Sequence, residues 1–196
     1  MSRPSAKSAA PRKPRADALR NRQRLIELAR DAFTRIGPDF SLDQLARRAG
    51  VGPGTLYRHF PTRDALLEAV YSAEVEKLAA AAKALSAEHP PLQALRAWLL
   101  LFIDYLATKL LIADALRKLL GAPSPVFAAS GEHIQKAIAS LARRAVQSGD
   151  LRADIDPFDL LRSIGGVASF APGPDAAAHA RLFVDVVLAG ARPRRT

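Results

Sequence analysis

Residues 41–63 read SLDQLARRAGVGPGTLYRHFPTR, and this stretch narrows more than any other what the chain can fold into. Ser41 and Gln44 stand in a capping box: the serine accepts from a backbone N–H three residues on and the glutamine reaches back, so a helix begins there. Leu42, Leu45, Ala46 and Ala49 form its inward stripe. Gly50 permits the left-handed turn that reverses the chain, and Val51 plugs the angle before the next helix. Pro53 suits a first helical turn, where its missing N–H would have no partner. A second helix is therefore expected from about 53 to 60, with Leu56 and Phe60 pointing into a small core beside Phe33 and Leu45. At its tip are Gly52, Pro53 and Gly54, followed by polar, aromatic and basic residues. A helix-turn-helix presents a short helix to DNA in this way.

Charge points the same way. The formal net charge is +10. Through Arg63 the chain carries 14 Lys and Arg against 5 Asp and Glu, while from Asp64 onward the counts are 15 and 14. Cations clustered on one segment gain free energy by displacing counterions from phosphates, so the first third is expected to meet a polyanion. Residues 1–15 hold almost no large apolar side chain and read as a disordered basic arm. From about residue 16, Leu19, Arg22, Ile26, Ala29, Phe33 and Ile36 recur at helical spacing, widened by Leu25 and Ala32, until Gly37 and Pro38 stop the helix.

Beyond the turn the pattern stays helical. Thr62 caps a helix of about 25 residues, nearly 40 Å long, that ends near Leu85. Further helices are expected at about 91–107, 109–120 and 125–148, then from Pro157 behind an Asp156 cap, and again after residue 174. The fold class is all-α with about nine helices. Its units are the arm, a helix-turn-helix domain over 16–63, a second helical domain over 64–190, and a basic tail over 191–196.

Several classes are expected to be absent. There is no cysteine, and the four histidines at 59, 89, 133 and 179 are scattered, so neither a disulfide framework nor a thiolate metal site is expected. No phosphate loop, paired-histidine motif or nucleophile elbow appears, so neither an enzyme nor a cofactor is expected. Asp150, Asp154, Asp156 and Asp159 cluster around a helix start, where capping accounts for them. The N-terminus lacks the apolar core of a signal peptide, and the longest apolar run, 98–103, is too short to span a membrane. A cytoplasmic protein is expected.

Leu45-Ala46, Ala49-Gly50-Val51, Gly54-Thr55-Leu56-Tyr57 and His59-Phe60, with Arg63 and Leu66 opening the next helix, together resemble the TetR family of bacterial transcriptional repressors. Two departures stand out: the loop at 37–40 is one residue shorter than the commonest family spacing, and Arg63 stands where lysine is usual. The resemblance implies DNA-facing roles. Ser41 would donate to a phosphate, Gly52, Pro53, Gly54 and Thr55 would enter the major groove, Tyr57 and His59 would bond the DNA backbone, and Arg63 would close on a further phosphate. Few long hydrogen-bonding side chains sit at the tip, so direct base readout falls to Thr55, Arg58 and Arg47 or Arg48, with DNA shape supplying the rest.

The resemblance also places a ligand cavity among the fifth to seventh helices. Trp98, Phe102, Tyr105, Phe127 and His133 are its candidate lining, with Thr108 and Gln135 as polar handles; ordinary core packing is the competing account of the aromatic residues. Small residues at 165, 166, 168 and 169 and the apolar series Ala178, Leu182, Phe183, Val186 and Val187 suit a homodimer seam over 157–189. The function implied is a homodimeric repressor on a palindromic operator, released by a small-molecule effector. The alternatives are a DNA-binding regulator or architectural protein that needs no effector and, less well supported, a helical enzyme with an accessory head.

Overall fold

Helix boundaries follow the punctuation in the sequence. A computed structural model describes residues 13–37, 40–111, 125–170 and 175–193. Among these it is built of eight helices: α1 (Lys13–Ile36), α2 (Leu42–Ala49), α3 (Pro53–His59), α4 (Arg63–Glu88), α5 (Pro91–Leu111), α6 (Pro125–Gln147), α7 (Pro157–Phe170) and α8 (Ala176–Gly190). Ser41 Oγ accepts from Gln44 N at 3.3 Å, Thr62 Oγ1 from Ala65 N at 3.0 Å, and Asp156 Oδ1 from Phe158 N at 2.8 Å, so α2, α4 and α7 each begin on a capped N–H. Gly50 ends α2 at φ 70°, where a side chain would crowd its own backbone, and its N–H bonds Arg47 O at 3.1 Å.

The first three helices close a small core. Phe33, Phe40, Leu45, Leu56 and Phe60 are all buried, and Phe40 meets Phe33 edge to face at 4.8 Å between centroids. Two apolar members of the expected α1 stripe are corrected: Leu19 is 68% exposed and Ile36 63%. They lie toward the two ends of a helix of 24 residues, and α2 and α3, of 8 and 7 residues, are too short to cover both ends.

α4 joins the head to the body. It buries neighbours in pairs, Leu66 with Leu67 and Val70 with Tyr71, so it is covered on more than one face. It packs on α1 in the head and on α5 and α6 in the body. α5 lies at the centre, in contact with α1, α4, α6, α7 and α8. It is longer than its expected end at 107: residues 109–111 are its last turn, because no Gly or Pro interrupts the series there. The remainder of the separate helix expected over 109–120 falls outside the described residues, as do residues 1–12 of the expected arm, Pro38 and residues 194–196, while residues 13–15, expected in the arm, are the first residues of α1. α7 and α8 pack on each other and on α5. Arg96 on α5 holds Asp185 on α8 through two bonds of 2.5 and 2.8 Å, and Arg181 on α8 pairs with Asp104 on α5. None of the described helices is long and apolar enough to cross a membrane.

Candidate nucleic-acid interface

The angle between α2 and α3 leaves the front of α3 uncovered. Leu56 at 0% and Phe60 at 2% exposure anchor it from behind, so Gly52, Pro53, Gly54, Tyr57 and Arg58 are exposed and Thr55 and His59 half-buried. Gly52 O accepts from Thr55 N at 2.9 Å and closes the first turn. Neither glycine at the tip is demanded by the fold. A Cβ built on Gly52 or Gly54 would meet no atom of the chain within 4 Å, and neither residue has positive φ. Packing within the chain does not call for their smallness, which suits a backbone that comes close to a phosphate or a groove wall.

The expected DNA-facing residues fall in two groups. Thr55, Tyr57, Arg58 and His59 lie on α3 itself, with Arg58 and His59 in its last turn. Tyr57 is 45% exposed. His59 sits against Phe60, ring centroids 6.2 Å apart. Ser41 and Arg63 flank the unit from the helices on either side. The Ser41 hydroxyl oxygen is engaged by the cap, but its proton is still available to a phosphate. Arg63 also braces the head from within, since its Nη2 donates to Phe40 O at 2.5 Å and its guanidinium stands 5.1 Å over the Phe40 ring.

Residues that sequence reasoning placed elsewhere also belong to this neighbourhood. Arg22, read as part of the α1 stripe, is exposed, with its guanidinium 5.2 Å over the Phe60 ring. Phe40, read as loop, is buried and carries Arg63. The signal for it was its place immediately before the Ser41 cap, where an apolar residue commonly packs back on the new helix. Arg47 and Arg48 are exposed in the last turn of α2, the end of the helix dipole that favours cations.

The ligand candidates do not share one cavity. Trp98 is fully buried, its indole N–H donating to Leu78 O at 2.8 Å, and it stacks on Phe102 at 6.0 Å, which stacks in turn on Tyr105 at 5.9 Å. Tyr105 donates to Tyr71 Oη at 3.1 Å; burial, and then that bond, push its phenol well above the ordinary range. Tyr105 also borders a cleft of about 460 Å³ between α1, α4 and α5, with Thr108 on its rim. His133 instead lines an open groove of about 600 Å³ between α4 and α6. Gln135 is exposed, and the Phe127 side chain lies outside the described residues. The aspartates near α7 are engaged: Asp150 accepts from Ser148, Asp154 from Arg152, Asp156 caps, and Asp159 pairs with Arg162. No group of three or more metal-ligating side chains occurs among the described residues.

Residues 25–70 match the family of bacterial regulatory proteins of the tetR type, and residues 90–193 match the C-terminal domain of SbtR-like transcriptional regulators. The fold superposes on the TetR transcriptional regulator SCO0520 from Streptomyces coelicolor with a TM-score of 0.80 and 42% identity, covering 89% of this chain and 99% of that one. A TetR regulatory protein from Mycobacterium vanbaalenii gives 0.73 and 32%, covering 92% and 100%. Among curated relatives, the regulator TtgW of Pseudomonas putida is 43% identical over 68 residues, which are 34% of this chain and 51% of TtgW. The chain thus spans about half the length of that relative, and 29% of the Staphylococcus aureus regulator SAB2452, to which it is 43% identical over 53 residues.

Proposed function

Because the chain belongs to the TetR family of bacterial transcriptional regulators, whose members bind DNA and act as dimers, we propose that it is a repressor that binds a palindromic operator as a homodimer. The observation that carries this reading is the tip of α3, where exposed Gly52 and Gly54 answer no internal demand of the fold and lead into Thr55, Tyr57 and Arg58. In this reading Gly52, Pro53, Gly54 and Thr55 enter the major groove, Tyr57 and His59 bond backbone phosphates, Arg58 reads a base edge, and Ser41 and Arg63 hold phosphates on either side. Two heads are needed because one short helix makes too few contacts for specific binding. The seam lies over 157–189: Leu182 is 66% and Val186 59% exposed on α8, an apolar face that a second copy would bury.

An effector bound in the body favours a disposition of α4 in which the two heads no longer match successive major grooves. Release follows from its different affinity for the two states. Ligand contact by Trp98, Phe102, Tyr105, Phe127 or His133 belongs to this proposal. One observation favours regulation without an effector, namely that Trp98 and Phe102 are closely stacked in the core. A thermal-shift screen against a metabolite library followed by operator release separates the two.

Selection of bound sequences from a random DNA pool tests the central claim. Enrichment of a palindrome whose half-sites lie about one helical turn apart or a multiple of it, with affinity falling steeply with salt, is expected. Recovery of no common sequence would sink the repressor reading.

A further inference from the structure

We propose that the cleft between α1, α4 and α5 is a binding site for an amphipathic small molecule carrying a carboxylate, and that the DNA-reading head senses its occupation directly. The link to DNA rests on the regulator reading above, whereas the binding itself does not.

The charges around the cleft are unequally engaged. Its acidic residues are Asp31, Glu74 and Asp104. Arg30 holds Asp31 at 2.9 Å and Glu74 at 3.6 Å, and Asp104 is held by Arg181. Its other cations, Arg35 and Lys77, form no ion pair among the described residues. With Arg181 counted, four cations stand against three acids, so a ligand entering the cleft meets a net excess of one positive charge, and Arg35 and Lys77 are the cations that no described residue pairs. That arrangement selects an anion, and Arg35 supplies the planar donor fork that suits a carboxylate.

The rest of the lining is apolar apart from the Tyr105 hydroxyl, Thr108 and Thr34, whose hydroxyl donates to Arg30 O. Leu78, Ala81, Leu101 and Tyr105 border the same cleft, and Leu101 is a large apolar side chain left 39% exposed there. A volume of about 460 Å³ falls within the range of small-molecule sites. The Tyr105 hydroxyl is committed to Tyr71 and the Thr108 hydroxyl to Asp104 O, so that wall offers the ligand surface rather than specific polar partners. An apolar body with one terminal carboxylate matches both halves.

The position of the cleft supplies the coupling. Arg30 and Arg35 belong to α1 in the head, Lys77 to α4, and Leu101 to α5 in the body. The Arg30–Glu74 bridge ties head to α4 across this cleft, and a bound carboxylate competes with Glu74 for the head's cations. A ligand that contacts both units biases their relative disposition by its differential affinity.

The test is calorimetric titration of the full chain with hexanoate, octanoate, decanoate and 4-phenylbutyrate, each against its neutral amide. At least one acid should bind saturably with one site per chain, and its amide should not. Lys77→Gln combined with Arg35→Gln should weaken that acid at least tenfold. Leu101→Ser should remove any preference for the longer acids. Lys136→Gln, in the separate groove between α4 and α6, should leave binding unchanged. The assignment is overturned if none of the acids binds, if acid and amide bind alike, if the double variant binds as the parent does, or if Lys136→Gln weakens binding equally. An operator recovered by selection then reports the coupling: the acid should lower its affinity, and binding in the cleft with unchanged operator affinity overturns the link to the head. Failure to recover any operator would count against the regulator reading and leave the calorimetric result standing.

Discussion

Tyr57 in the head and Tyr105 in the body show how differently the two regions use the same side chain. Tyr57 is 45% exposed on α3, and its hydroxyl makes no hydrogen bond with the described residues. Tyr105 is 5% exposed, its ring continues the Trp98–Phe102 stack and its hydroxyl is committed to Tyr71. The head displays its chemistry on residues adjacent in sequence, carried by a small core that holds α3 from behind. The body assembles its cleft from α1, α4 and α5, and the side chains that border it also hold the helices together. Binding and stability should therefore separate in the head and be entangled in the body.

Trp98→Ala is the most severe test of that contrast. It empties a fully buried site and leaves Leu78 O without its indole donor, so a loss of about 3–5 kcal/mol in urea unfolding is expected. A loss under about 1 kcal/mol would show that the stack leaves room for a ligand. Next comes Gly50→Ala, which places a side chain at φ 70° and should cost about 1–2 kcal/mol. That loss should appear in the unfolding of the head, with operator affinity of the folded fraction nearly kept.

Tyr57→Phe should do the reverse. Thermal stability should match the parent, while DNA affinity falls about fivefold on every sequence, the loss of one hydrogen bond worth about 1 kcal/mol. Unchanged affinity would remove Tyr57 from the interface. The smallest effect is the pH response of Tyr105. Its folded-state pKa is raised above the ordinary value of 10.0, so the protonated form is favoured by folding. This contribution is fully present below pH 10 and fades as pH rises above it, so Tyr105→Phe should flatten the alkaline loss of stability there. Parallel stability curves for the two proteins above that pH would contradict the burial argument.

Much of the head was legible in the sequence because its determinants are local. The Ser41 and Thr62 caps, the Gly50 turn and the inward Leu56 and Phe60 each follow from a residue and its near neighbours. What escaped was long-range within the same unit. Arg63 reaches 23 residues back to Phe40 O, and Arg22 lies over Phe60, contacts between helices that no periodicity reveals. In the body the aromatic spacing along α5 was visible. That it builds a packed stack, and that Tyr105 alone of the Trp98–Phe102–Tyr105 stack borders the cleft, was not.

By itself, the sequence determined the kind of structure: an all-helical chain, a helix-turn-helix near its start, a charge excess nearly all in its first third, and membership of a family whose models match residues 25–70 and 90–193. These follow from caps, breakers and apolar periods that act over a few residues. Only the tertiary structure decided which charges are already spoken for. Arg30, Arg35 and Lys77 look equivalent in the chain. Once α1 lies along α4, Arg30 is held by Asp31 and Glu74 while the other two face the cleft unpaired among the described residues. Ion pairing depends on distances of a few ångströms between helices far apart in sequence, and only the packed core fixes those.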